Sequence, residues 1–260
     1  PIFSYRGLSA INIDAKQAVI NVLGTAGDDT MVVVTNDASS GSVRANGSNP
    51  VVNYSNTSGK AVNIDPDAGQ DRLEVRGNSL SQTVNIDVAT STITLDDLND
   101  AVIDGTVTWT TANEAVAVYG LEGNDTFVTR PGSIPVFVDG GDPIGLSNPA
   151  VPGDVLKLSA NFSSATYQPG PESDEGGFST NLGMVSFDRI EGLSVADTAG
   201  NNMAVTVIGT NGDDDITFTG VAANSYGVSV NAGPAVQFSG SNSALLQGMS
   251  GDDDFDIDIQ

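Results

Sequence analysis

The stretch GTAGDDTMVV, Gly24–Val33, is a Gly/Asp turn followed by a run of strand-forming residues, and its recurrence decides how the chain is read. The segment Gly209–Phe218 has the sequence GTNGDDDITF at an offset of 185 positions. The match runs without a gap from Gly7–Val33 to Gly192–Phe218 and continues more loosely beyond both segments. A gapless match of this length predicts a tandem repeat with a unit of about 185 residues.

The rest of the chain has the pattern of short strands. Runs such as TMVVVT, QTVNIDV, IPVFVDG and AVTVIG alternate or are rich in β-branched residues, and Gly, Asn, Asp, Ser and Pro separate them. Such runs, punctuated every 8–12 residues or so, are typical of an all-β protein. Only LDDLNDAV, Leu95–Val102, has the composition of a helical turn or two.

Two markers alternate along the chain and suggest how the strands are arranged. One is the Gly/Asp turn, and the other is a proline followed by an apolar run and an aromatic residue, as in PVVNY and PAVQF. Two markers in about 40 residues predict coils of about 20 residues. Stacked in parallel, about a dozen such coils form a β-solenoid roughly 60 Å long. Tandem β-sandwich domains are the alternative, but a single tryptophan, Trp109, and the lack of a sub-period near 95 residues speak against them.

The repeat also predicts the domain organisation. We expect residues 1–191 to form one full unit and residues 192–260 to begin the next unit of the same continuous solenoid, as in a segment cut from a tandem array. Residues 161–183 break the rhythm with two prolines and an acidic cluster, which predicts a loop or hairpin protruding from the rod. In that segment Tyr167 and Phe178 either stack on a sugar or pin the segment to the solenoid, and for Trp109 burial is the expectation.

Composition excludes several classes of partner. The chain has 33 acidic and 9 basic residues and a formal charge of −24, so nucleic acid and anionic membrane surfaces are poor partners. No stretch is long and apolar enough to predict membrane insertion. The carboxylates suit either Ca²⁺ or a soluble acidic surface.

The Gly/Asp turn resembles the RTX, or haemolysin-type, calcium-binding nonapeptide G-G-x-G-x-D-x-U-x. Residues Gly24–Val32 fit it, and so do the segments at 66–74, with Pro66 replacing the first glycine, and at 120–128, 209–217 and 248–256. In that family the turn supplies carbonyl and aspartate oxygens to Ca²⁺, while the apolar U residue fills the core. The resemblance implies Ca²⁺ ligands at Asp28, Asp29, Asp71, Asn124, Asp125, Asp213, Asp214, Asp252 and Asp253.

These turns depart from the RTX pattern in two ways. The second glycine is replaced in every copy, and the copies stand tens of residues apart instead of following one another directly. A calcium site between consecutive nonapeptides therefore cannot form locally. A site requires that turns distant in sequence stack on neighbouring coils; otherwise the turns serve only as corners between strands.

Catalytic constellations are scarce. The absence of His removes the usual general base, and the absence of Cys removes thiol nucleophiles and disulfides. Parallel β-helices include polysaccharide-degrading enzymes, but any two of the 33 acids could be nominated as a glycosidase pair. The only close basic pair is Arg72 and Arg76, which flank Glu74. We therefore predict a protein that is not an enzyme and has no catalytic residues.

The wider pattern, with VDGG-D-P followed by P-G-D-x-L and later VSF…IEGL, resembles repeat regions of very large secreted bacterial surface proteins. That resemblance implies an extracellular structural or adhesive segment, such as a stalk, scaffold, surface-layer component or filament. Its expected partners are further copies or flanking repeats stacked end to end, and a cell-surface polysaccharide. The alternative is a carbohydrate-binding or polysaccharide-degrading β-helix, which an aromatic-lined groove on one long face would favour.

Overall fold

A computed structural model describes residues 8–47, 50–97, 102–143, 153–200 and 202–259. These residues form 24 β-strands in two sheets of twelve strands each. The described part of the chain contains no helix, and hence none that is long and apolar enough to cross a membrane. The prediction of an all-β, solenoid-like fold is confirmed.

Sheet 1 contains twelve strands, which in spatial order are β1 (Ala10–Asp14), β5 (Val51–Ser55), β4 (Ser40–Ala45), β3 (Thr30–Asp37), β7 (Arg72–Arg76), β11 (Ala115–Glu122), β13 (Val136–Asp142), β17 (Met184–Asp188), β16 (Gly176–Thr180), β15 (Ser164–Pro169), β19 (Met203–Ile208) and β23 (Ser241–Gln247).

Sheet 2 contains the other twelve, which in spatial order are β2 (Ile20–Thr25), β6 (Val62–Asp67), β10 (Gly105–Trp109), β9 (Thr92–Asp96), β8 (Thr83–Asp87), β12 (Thr126–Arg130), β14 (Val155–Ala160), β18 (Gly192–Asp197), β22 (Val236–Ser239), β21 (Ser225–Val230), β20 (Asp215–Ala222) and β24 (Asp254–Asp258).

The chain alternates between the sheets, and at four places it runs three times through one sheet before crossing. In such a three-strand meander the middle strand is antiparallel to both neighbours, whereas the other strand pairs are parallel. The meanders are β3–β4–β5 and β15–β16–β17 in sheet 1, and β8–β9–β10 and β20–β21–β22 in sheet 2. These antiparallel strands are not evident from the sequence pattern, which predicts parallel stacking only.

The meanders keep the number of strands in the two sheets equal. After β2, the first strand of sheet 2, the chain enters sheet 1 at the fourth position as β3, and β4 and β5 then return to fill the third and second positions. Each meander adds two extra strands to its own sheet. Because meanders alternate between the sheets, both sheets reach twelve strands.

The core lies between the sheets and consists of alternate residues of each strand. In β3 and β7, for example, Met31, Val33, Leu73 and Val75 are buried, whereas the residues between them are partly exposed. The period of two is what a sheet with one buried face requires. Parallel register places Met31 beside Leu73 and Val33 beside Val75, so like residues stack from layer to layer.

The 161–183 segment forms a hairpin, one of the two predicted possibilities, but this hairpin is built into sheet 1 and does not protrude from it. Its residues form β15 and β16, which pair with each other and with their sheet neighbours β19 and β17. Tyr167 and Phe178 are buried with ring centroids 5.2 Å apart, so they hold the segment to the solenoid and are not available to a sugar. Trp109 is buried as expected. Of the predicted helical turn, Leu95 and Asp96 belong to β9, and residues 98–101 lie outside the described ranges.

Candidate functional site: the corner ladders

The Gly/Asp turn forms the corner between two sheets, and its aspartate folds back over its first glycine. At Gly24–Asp29 the carboxylate Oδ2 of Asp29 accepts the backbone N–H of Thr25 at 2.6 Å and the Thr25 hydroxyl at 3.0 Å. A Cβ on Gly24 would lie 2.8 Å from this oxygen and 2.7 Å from the carbonyl carbon of Pro66. The first glycine is therefore required because a neighbouring corner and its own aspartate occupy the space of a side chain.

Successive corners are joined by reciprocal hydrogen bonds between backbone amides and side chains. Asp29 donates its N–H to Asp71 Oδ1 at 2.8 Å, and Gln70 donates its N–H to Asp28 Oδ1 at 2.9 Å. The two bonds run in opposite directions between adjacent corners. We call this pair of bonds the corner clasp.

The same clasp occurs at two other places. Gln82 donates its backbone N–H to Asp125 Oδ1 at 2.7 Å, and Asn124 donates its backbone N–H to the Ser81 hydroxyl oxygen at 2.9 Å. At the turn 185 positions after Gly24–Asp29, the Asp214 N–H bonds to Asp253 Oδ1 at 3.1 Å, and the Asp252 N–H bonds to Asp213 Oδ1 at 2.8 Å. Turns that are 39 to 43 residues apart in sequence thus stack directly on one another.

The clasps and further amide–carboxylate bonds extend into rows that we call corner ladders. Asp71 donates its N–H to Glu114 Oε2 at 2.7 Å; Asp125 donates to Asp154 Oδ1 at 2.6 Å, and Asp154 donates to Glu191 Oε2 at 2.6 Å. The ladders are Asp29–Asp71–Glu114, Gln82–Asp125–Asp154–Glu191 and Asp214–Asp253. These side chains satisfy backbone amides at corners, where the sheet ladder ends.

Asparagines at the ends of meander strands extend two of the ladders. Asn46, which follows β4, donates its side-chain amide to Asp29 Oδ1 at 2.5 Å and accepts the Thr30 N–H at 2.9 Å. Its counterpart 185 positions later, Asn231, donates to Asp214 Oδ1 at 2.7 Å and accepts the Asp215 N–H at 2.9 Å. The offset of the sequence repeat therefore reproduces the bonding of the corner as well as its residues.

The sequence-predicted metal residues lie in these clasps, and they differ in how many of their side-chain oxygens accept a protein donor. Both carboxylate oxygens of Asp29 accept protein donors, and so do both of Asp214. Within the described residues, buried carboxylate oxygens without a hydrogen-bond donor are the Oδ2 atoms of Asp71, Asp125 and Asp154. The side chains of Asp29 and Asp214 therefore serve only as hydrogen-bond acceptors for protein donors. Those of Asp71, Asp125 and Asp154 each retain an oxygen that can accept a cation or a proton.

Carboxyl groups with both oxygens hydrogen-bonded and those with one unbonded oxygen also differ in their pKa. The hydrogen bond from the Thr25 amide, helped by Asn46, lowers the pKa of Asp29 despite its burial. Burial without a second donor raises the pKa of Asp125 to about 7, and burial together with the charges of Asp125, Glu191 and Asp139 raises the pKa of Asp154 to about 7.

Several residues of the ladders escape the sequence pattern. Glu114, Glu191 and Gln82 occupy ladder positions outside any Gly/Asp nonapeptide, so only the strand register identifies them. A further acidic group, Asp96, Asp97 and Asp104, brings carboxylate oxygens within 4.8 Å of one another at the end of β9. The predicted basic pair, Arg72 and Arg76, forms ion pairs with Glu74 at 3.4 and 3.2 Å on the outer face of sheet 1.

Comparison with protein-family models, with curated proteins and with solved structures gives no match for this chain.

Replacing Gly24 should destabilise the fold, whereas replacing Gly27 in the same turn should not. Gly24→Ala places a methyl group against Asp29 Oδ2 and the Pro66 carbonyl, so we expect a loss of about 2 kcal/mol or more in the free energy of unfolding. Gly27→Ala is the control in the same turn, because the nearest atom to its Cβ is 3.8 Å away. Urea unfolding of both variants measures this, and equal losses would contradict the packing described.

Neutralising Asp29 should be costly because both of its oxygens accept hydrogen bonds. In Asp29→Asn a side-chain NH₂ faces either the Thr25 amide or the Asn46 amide, and we expect a loss of about 1–3 kcal/mol in unfolding free energy at pH 7. Asp28→Asn is the matched control, since its remaining carbonyl oxygen can still accept the Gln70 N–H. The role given to Asp29 would be refuted if the free energy of unfolding of Asp28→Asn were equal to or lower than that of Asp29→Asn.

Neutralising Asp125 should have the opposite effect, and the effect should depend on pH. Its folded-state pKa of about 7 exceeds the ordinary aspartate value of 3.8, so ionisation costs stability progressively as the pH rises from 3.8 to about 7. Asp125→Asn should therefore gain stability relative to the unmodified protein, by about 1 kcal/mol or more at pH 8, and this gain should shrink towards pH 5. Chemical unfolding at both pH values tests this, and a difference between the two proteins that does not change with pH would overturn it.

Proposed function

We propose that this protein is a non-catalytic structural segment of a large extracellular bacterial surface protein, acting as a stalk, scaffold, surface-layer component or filament. The observation that carries the proposal is the corner ladder: strand layers are joined through the sheets and also at their edges, by short amide–carboxylate bonds. Such a double connection suits a part that has to keep its shape under load.

The arrangement of the repeat supports the same role. The first meander, β3–β4–β5, lies in sheet 1, and its counterpart at an offset of 185 residues, β20–β21–β22, lies in sheet 2. Each unit thus continues the stack with the two sheets exchanged, which lets further units be added without a break between them. Self-association with a second copy or a flanking repeat through the end strands is part of this proposal.

Single-molecule stretching of the protein between its two ends tests the mechanical role. We expect discrete force peaks, because neighbouring layers must be separated at both their strand pairs and their corner clasps, and we expect lower peaks for Asp29→Asn than for Asp28→Asn. Extension without any peak, like that of an unfolded chain, would exclude a load-bearing function.

Calcium, as the resemblance to RTX turns implies, is proposed as a stiffening ion of a restricted set of corners. The stacked corners fit this idea only in part, since Asp29 and Asp214 are saturated with protein donors. The ligands we propose are Oδ2 of Asp125 and Oδ2 of Asp154, two buried oxygens without a protein donor on adjacent rungs of one ladder. A bound cation would offset the cost of ionising these two buried groups.

Thermal unfolding at pH 8 in EDTA, in Ca²⁺ and in Mg²⁺ separates this calcium role from a purely structural corner. A calcium-stiffened ladder gives a rise in Tm that saturates with Ca²⁺, exceeds the effect of Mg²⁺ and disappears in Asp154→Asn but not in Asp28→Asn. A shift that Mg²⁺ or plain salt reproduces, or no shift, would mean that these corners hold no calcium.

A further inference from the structure

The outer face of sheet 1 carries a trough at the meander β15–β16–β17. Strand register places Phe137, Ser186, Gly177 and Gln168 side by side across four neighbouring strands. The small residues Ser186 and Gly177 lie between the two larger ones, so the surface is depressed at this point. The resulting cavity has a volume of about 520 Å³, which is in the range of small-ligand sites.

The walls of the trough combine apolar surface with uncommitted polar groups. Phe137 lies at one side, with Tyr119 in edge-to-face contact at 6.1 Å, and Pro169 and the 62 % exposed Met184 add further apolar surface. The side chains of Gln168 and Ser186 form no hydrogen bond with the described part of the chain. An aromatic ring beside free hydroxyl and amide groups matches the alternating C–H and O–H surface of a sugar.

Charge restricts the class of sugar. No Lys or Arg is among the described residues that line the trough, whereas Glu175 and Asp188 do line it. The nearby Arg189 is held by Asp139 through two hydrogen bonds to its carboxylate. An anionic polymer such as a polyuronate would meet repulsion here, so the trough suits an uncharged glycan.

The equivalent meander in sheet 2 lacks these features. Its middle strand β21 also has an outward glycine, Gly227, next to a glutamine, Gln237. The depression there is smaller, about 250 Å³, and threonine and serine take the place of the aromatic and proline residues at the trough. The aromatic and proline lining therefore distinguishes the trough at β15–β16–β17 from the depression at β20–β21–β22.

We propose that the trough at Phe137, Gln168, Gly177 and Ser186 binds a neutral polysaccharide. This inference rests on the proposed function in that it names the partner that an adhesive surface segment would bind. The buried rings Tyr167 and Phe178 lie on the inner side of β15 and β16, towards the core. The stretching experiment and the binding experiment below can fail independently of each other.

Electrophoresis of the full protein in native gels that contain a polysaccharide tests the proposal. The neutral probes are laminarin, hydroxyethylcellulose, dextran and mannan, and polygalacturonate is the anionic probe. We expect retardation in at least one neutral polymer and none in polygalacturonate. No retardation in any of the four neutral polymers, or equal retardation in polygalacturonate, would overturn the proposal.

Two variants locate the site. Gly177→Val fills the trough, and a Cβ at Gly177 meets nothing closer than 3.4 Å, so the strand accepts it. Gly227→Val is the matched control in the other meander, where the new Cβ meets the movable end of Gln237. We expect Gly177→Val and Phe137→Ala to weaken binding by about tenfold or more and Gly227→Val to leave it unchanged. Retained binding in Gly177→Val, with its unfolding curve unchanged, would exclude this trough as the site.

Discussion

The fold depends on what happens to backbone amides at the corners between the sheets. Within a sheet each amide finds a carbonyl on the next strand, but at a corner the chain turns and this partner is lost. In this protein a carboxylate from the next layer takes that place, as between Asp29 and Asp71 and between Asp125 and Asp154. Where the turn begins with glycine, at Gly24, Gly120, Gly209 and Gly248, that residue has to lack a side chain because the folded-back aspartate fills its space; the turn at 66–74 begins with Pro66 instead. The acidity of the chain thus has a structural use at its corners.

The ladder explains how a repeat can change sheets without changing its bonding. Counterparts at an offset of 185 residues, such as Asn46 and Asn231, make the same bonds to Asp29 and Asp214, although one meander lies in sheet 1 and the other in sheet 2. A corner motif that satisfies itself and its neighbour works at either edge of the stack. The corner is the same at both edges, while successive meanders alternate between the sheets. The two sheets therefore have the same number of strands.

Much of the fold follows from the sequence, and the limits have physical causes. The alternation of apolar and polar residues and the Gly/Asp turns between them predict the strands and their stacking. The repeat of GTxGDD identifies Asp29 and Asp214 as related positions. The meanders are not predictable in this way, because nothing in the residue pattern of β4 or β16 marks strand direction and only pairing fixes it. Glu114 and Glu191 are missed because their role depends on register between layers, and the trough is missed because it depends on which small residues become neighbours across strands.

Hydrogen exchange of individual corner amides, followed by NMR, measures the central claim directly. The amides of Asp29, Asp125 and Asp214 lie outside the strand pairings, and each donates to a carboxylate of the next layer. If the clasps hold the stack, these amides exchange as slowly as those of the neighbouring strands β3, β12 and β20, and Asp71→Ala accelerates exchange at Asp29 far more than at Asp214. Fast exchange at all three corners in the unmodified protein would show that the ladders do not hold the layers together.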